Sequence, residues 1–139
     1  MTRFWRNWLT VWCWAVVLFG VALIGGAFET TSGPVRLLFG VLNPAEPLTL
    51  DAPMRFSLAV MGAVTLGWGL TLFAAIKAAD ELGARGGPIW RLTTLGVAGW
   101  YVVDSALSAA TGFALNIAPN TLLAAAYLLP VLRTGVLRS

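Results

Sequence analysis

Histidine does not occur in this chain, and cysteine occurs once, at Cys13. Those absences exclude His-ligated haem, histidine-containing zinc and di-iron sites, Ser-His-Asp and Cys-His hydrolysis, and redox cycling of an intramolecular dithiol. Charge is the next scarcity. Asp, Glu, Lys and Arg make up 11% of the 139 residues, where a soluble domain carries about a quarter. So few charges cannot cover a water-facing surface. With 58% hydrophobic residues and a mean hydropathy of +0.81, the composition is that of an all-α integral membrane protein.

Four apolar stretches organise residues 1–139 into a single transmembrane domain, a four-helix bundle. The first runs from Trp8 to Phe28 without a charge, and the second lies between Arg55 and Lys77 (residues 55–77). The third, from Ile89 to Ala114, holds Arg91 near its start and Asp104 within. The fourth, from Ala118 to Leu137, is interrupted by Pro130 and Arg133, so it must tilt, kink, or let Arg133 snorkel. The first stretch is longer than the apolar core of a signal peptide, and Ala27-Phe28-Glu29 is a poor cleavage site, so it is expected to be a retained helix.

Lys and Arg set the expected orientation. Arg3, Arg6, Lys77, Arg85, Arg91, Arg133 and Arg138 fall on the side of the termini, against Arg36 and Arg55 on the other. The positive-inside rule then places both termini in the cytoplasm of a multi-pass inner-membrane protein. Cations facing an anionic leaflet also account for the net charge of +3 without a nucleic-acid partner.

The outer connection from Glu29 to Met54 contains a turn, Thr31-Ser32-Gly33-Pro34, and then a short apolar segment. This predicts an interfacial helix over residues 34–43 that buries Leu37, Leu38 and Phe39. The Asn43-Pro44-Ala45-Glu46-Pro47 stretch ends it, and Asp51 is placed to cap the second span. On the inner side, Asp80 or Glu81 is expected to pair with Arg85. Gly86-Gly87-Pro88 should stop one helix and start the next.

Among the seven tryptophans, Trp5, Trp8, Trp12 and Trp90 fall where headgroup anchors are expected, whereas Trp68 and Trp100 lie mid-span. Ala59, Ala63 and Gly67 recur every four residues, with Gly62 and Gly69 nearby. Further small residues are Gly20, Gly25 and Gly26 in the first stretch and Gly96 and Gly99 in the third. Such positions allow close helix packing, within the chain or with another.

The sharpest chemical signal is Asp104. An acid inside a span costs on the order of 2.5 kcal/mol or more by insertion scales, so a partner or a function is expected. Tyr101, Ser105, Ser108 and Thr111 border its face, and Asn116, Asn120 and Tyr127 form a matching face on the following helix. A turn centred on Leu115 or Asn116 would set Asp104 opposite Tyr127 and Thr111 opposite Asn120, and Asp104 is expected to face the bundle interior and contact the last helix through Tyr127 or at the Ser108 and Asn120 level. These eight residues form either an interhelical polar tie or a ligand or ion site. No catalytic residue, metal site or cofactor is predicted.

Two familiar four-helix classes do not fit. Small multidrug exporters carry their essential acid in the first helix, which here has none before Glu29, and disulfide-forming membrane enzymes need cysteine pairs. The expected function is a non-enzymatic subunit or accessory component of a membrane complex, partnered by the lipid bilayer and by other membrane subunits or a second copy. The alternative is a small transporter or carrier of a lipid, quinone, pigment or proton that uses Asp104.

Overall fold

The protein is described from a computed structural model. The described residues are 1–46 and 48–138; Pro47, in the proline-rich stretch, and Ser139 lie outside them. Among the described residues there is no strand. The order is α1 (Arg3–Ile24), α2 (Gly33–Leu42), α3 (Ala52–Glu81), α4 (Gly87–Ala110) and α5 (Ile117–Thr134), joined in part by short 3-10 turns.

Three segments are long and apolar enough to cross a membrane: Arg3–Ala27, Ala52–Glu81 and Ala114–Thr134. The expected third span is not among them. At 24 residues, about 36 Å, α4 has the length, but Asp104, Tyr101 and its hydroxyl residues dilute its apolar character. The last helix, which Pro130 and Arg133 interrupt, is among the three.

The helix ends differ from the expected ones for local reasons. The start of α3 is capped by Asp51, whose Oδ1 accepts from the Met54 N–H at 2.9 Å. Its far end runs past Lys77 to Glu81, because Ala and Lys are good helix formers and Gly83, at φ 56°, is the first residue to turn the chain. The third stretch ends four residues early, at Ala110. There Gly112 adopts φ 87°, its N–H donates to Ala109 O at 3.4 Å, and the Phe113 N–H donates to Ser108 O at 2.8 Å. That pair of bonds is a Schellman ending.

The chain divides into two compact units, Ala15–Leu70 and Met1–Trp14 with Thr71–Ser139, and α1 and α3 each contribute to both. In the unit Ala15–Leu70, α1 meets α3 backbone to backbone. A Cβ added at Gly20 would fall 2.5 Å from the Leu66 nitrogen, and one at Gly62 would fall 2.6 Å from Gly20 O and from the Ile24 nitrogen. Gly69 is likewise closed by Val17. The close approach therefore runs through Gly62 and Gly69. Ala63 is exposed, and a Cβ at Gly67 would meet nothing within 4 Å, so the Ala59-Ala63-Gly67 spacing does not mark this contact.

The short outer helix α2 packs Val35, Leu38 and Phe39 on a core that includes Leu23 and Leu58. Leu37 is instead 72% exposed, which corrects the expected burial of all three side chains: three consecutive helical residues spread over about 200° and cannot all share one face. Ser32 precedes the helix without a side-chain cap. Its Oγ donates to Glu29 O at 2.9 Å and accepts from Arg36 Nε at 3.2 Å. Glu29 holds the outer cations. Arg36 Nη2 donates to both its carboxylate oxygens, at 2.9 and 3.1 Å, and Arg55 Nη2 donates to Oε2. The hydrogen bond from Arg55, aided by the charge and hydrogen bond of Arg36, holds the Glu29 carboxyl below its ordinary value against a smaller desolvation effect.

Candidate functional site

The polar stripe lies in the second unit, between α4 and α5. Three donors converge on one oxygen of Asp104. Oδ1 accepts from Asn120 Nδ2 at 2.8 Å, from Asn116 Nδ2 at 3.0 Å and from Ser108 Oγ at 3.1 Å. Asn116 Nδ2 also donates to Ser108 Oγ at 3.0 Å, and Asn120 Nδ2 to Ser105 Oγ at 3.4 Å. Asp104 and Ser108 stand one turn apart on α4. Asn116 closes the 3-10 turn Ala114–Asn116, and Asn120 occupies the first turn of α5. The Schellman ending of α4 folds the chain back so that the Asn116 amide reaches Asp104 from below the hairpin turn.

This register differs from the expected one. With the turn at Thr111–Phe113 rather than at Leu115 or Asn116, Asp104 faces Asn120, while Tyr127 reaches much further back along α4 to Thr94, hydroxyl to hydroxyl at 3.0 Å. Thr111 is not opposite Asn120; its hydroxyl donates to Leu107 O at 2.8 Å within its own helix. Tyr101 pairs with Thr121 at 3.0 Å, apart from the Asp104 cluster. Of the eight candidates, Asp104, Ser105, Ser108, Asn116 and Asn120 come together, and Tyr101, Tyr127 and Thr111 do not join them. Asp104 sits six residues before the end of α4, about 9 Å along the axis, so it lies close to the hairpin turn rather than at mid-helix.

Thr94 and Thr121 were not among the candidates. Thr94, Tyr101 and Ser108 are seven residues apart and share a helical face, so the stripe extends two turns toward the start of α4, a continuation visible in the spacing.

Two tryptophans read as headgroup anchors hold helices instead. Pro130 has no N–H, so the carbonyl of Ala126, four residues earlier, loses its α-helical donor. The Trp8 indole donates to that carbonyl at 2.8 Å, and the Trp12 indole donates to Leu123 O at 2.9 Å. Trp12 is 4% exposed, and its ring lies 5.2 Å from that of Tyr127 at a tilt of 44°; Tyr127 is fully buried. Trp90 is 1% exposed and belongs to the core. Of the Ala126 and Leu123 carbonyls, only that of Ala126 lacks an α-helical donor, and the indole that serves it, Trp8, stays 39% exposed.

At the other end of this unit, Asp80 pairs with the Met1 ammonium at 3.4 Å and with Arg6 at 3.6 Å, not with Arg85. Arg85 lies in the 3-10 turn after Gly83, which carries it away from the α3 face that presents Asp80. A cavity of about 290 Å³ opens here, beside Asp80, Trp90 and Thr134, and contains none of the stripe residues. No protein-family model, curated protein or solved structure matches the chain.

Proposed function

We propose that this chain is a small non-enzymatic integral membrane protein, a subunit or accessory component of a larger membrane assembly. In this proposal it crosses the inner membrane four times with both termini cytoplasmic, α4 being the additional span and α2 lying at the outer interface. One observation carries the functional reading: the polar side chains of α4 and α5 are engaged in tying those helices together, so recognition is left to apolar helix faces. On α4 that outward face includes Leu92, Leu95, Val102 and Val103, all exposed, around Gly96 and Gly99, where an added Cβ would meet nothing within 4 Å. Glycines that close-pack elsewhere in the chain are here open for another backbone.

Intact mass measurement in mild detergent tests the proposal. The expected result is a complex with another polypeptide or a second copy, which Gly96→Leu and Gly99→Leu dissociate while leaving the helix content unchanged. A solitary chain carrying a bound small hydrophobe would contradict it. Topology is tested in intact cells. A cysteine at Glu46 should react with an impermeant thiol reagent and one at Arg138 should not; the reverse pattern would overturn the orientation.

A further inference from the structure

We propose that the Asp104 cluster, besides tying α4 to α5, is a binding site for one hard monovalent cation, with sodium the charge-matched species. Three features lead there. The first is uncompensated charge: the donors on Asp104 are two amides and a hydroxyl, all neutral, while the ion pairs among the described residues belong to Asp80 and Glu29. A carboxylate beside apolar helix faces calls for a counter-charge, and no Lys or Arg supplies one.

The second is the ligand set. Asp104, Ser105, Ser108, Asn116 and Asn120 offer only oxygen and amide groups, the donor class of hard cations. Turning either amide half a revolution about χ2 exchanges Nδ2 for Oδ1 at the same place. The groups of the cluster stand 2.8 to 3.4 Å apart, so outward shifts of a few tenths of an ångström would set their oxygens around an ion bound at about 2.3–2.6 Å. One carboxylate neutralises one monovalent charge, whereas a divalent ion would leave an excess positive charge among apolar side chains.

The third is position. Asp104 lies in the last two turns of α4, and Asn116, in the turn that follows, closes the cluster from the helix's C-terminal end. The exposed turn Thr111, Gly112 and Ala114 beside Asn116 gives an approach from the aqueous side.

The test uses the purified full chain in mild detergent, with unfolding followed by tryptophan fluorescence in sodium chloride or choline chloride at equal ionic strength. Sodium should raise the midpoint saturably and choline should not. Asp104→Asn, which keeps an acceptor for the surrounding donors, should remain folded and lose the sodium response. Ser105→Ala, which removes only the longest contact of the cluster, should keep the response with apparent affinity lowered about tenfold. Equal midpoints in sodium and choline, or an undiminished response in Asp104→Asn, would overturn the proposal. If Asp104→Asn does not fold, an unchanged affinity in Ser105→Ala overturns it instead. A larger response to calcium than to sodium would overturn the monovalent assignment.

Discussion

The two units hold their helices together by different means. In Ala15–Leu70, α1 and α3 touch through Gly20 and Gly62, backbone on backbone, and dispersion over closely matched surfaces supplies the attraction. In the other unit, α4 and α5 join through directed bonds, Asp104 with Asn116 and Asn120, Tyr101 with Thr121, and Thr94 with Tyr127. The first device tolerates no added volume, whereas the second tolerates volume but no unmatched polar atom. Lipid penalises both failures, because it neither fills a gap between helices well nor hydrogen-bonds to a stranded group.

The sharpest way to break the comparison is volume. Gly20→Val should destabilise the protein by about 3 kcal/mol or more, since backbone atoms of α3 occupy the place of the new Cβ. Gly96→Ala, on an open face, should instead gain about 0.5–1 kcal/mol from helix propensity. Reversible unfolding in mixed detergent, followed by circular dichroism, checks the pair, and equal effects at the two sites would show that the close contact is not a constraint.

Stranding polar groups comes next. Asp104→Leu leaves two amides and a hydroxyl without their acceptor and should cost about 2–3 kcal/mol, whereas Asp104→Asn should cost much less. A smaller loss of about 1–3 kcal/mol is expected for Trp8→Phe, which strands the Ala126 carbonyl. Most of that loss should disappear in a Pro130→Ala background, where residue 130 regains the N–H that serves this carbonyl. A double-mutant cycle reads the coupling directly, and additive losses would show that the indole bond and the proline are unrelated.

The smallest effect belongs to Glu29. Its carboxyl is held below the ordinary 4.5, so what it contributes is fully present above that value and is lost as pH falls through its lowered folded-state value. Protection factors across α2, that is, exchange rates corrected for the intrinsic pH dependence, should fall over that acid range in the native protein and stay constant there in Glu29→Gln.

Composition makes legible the all-helical class and the presence of helices apolar enough to cross a membrane, and the positions of α1, α2 and α3 follow from apolar runs and from Asp51. The register between α4 and α5 was not legible, although its signal was present. Thr111-Gly112 is a helix ending, but the apolar residues after it resemble a continuing span, and the hydrophobic run outweighed the glycine. That single displacement sets Asp104 opposite Tyr127 in the expected register, whereas the contact formed is the alternative one at the Ser108 and Asn120 level. The roles of Trp8 and Trp12 were hidden for another reason: amphipathic indoles at a helix end suit a headgroup layer equally well, and only the Ala126 carbonyl left open by Pro130 distinguishes the two. The stripe residues themselves were recognisable from their spacing, because an acid among hydroxyls and amides on one helical face has few other uses in an apolar setting.

The bond from Trp8 to Ala126 also bears on how the protein is made. Residue 8 emerges from the ribosome long before residue 126, so the last helix inserts with a carbonyl that only the first helix is built to serve. Until they meet, the Trp8 N–H and the Ala126 carbonyl each lack this partner. Loss of either helix thus leaves an unmatched polar group in the other.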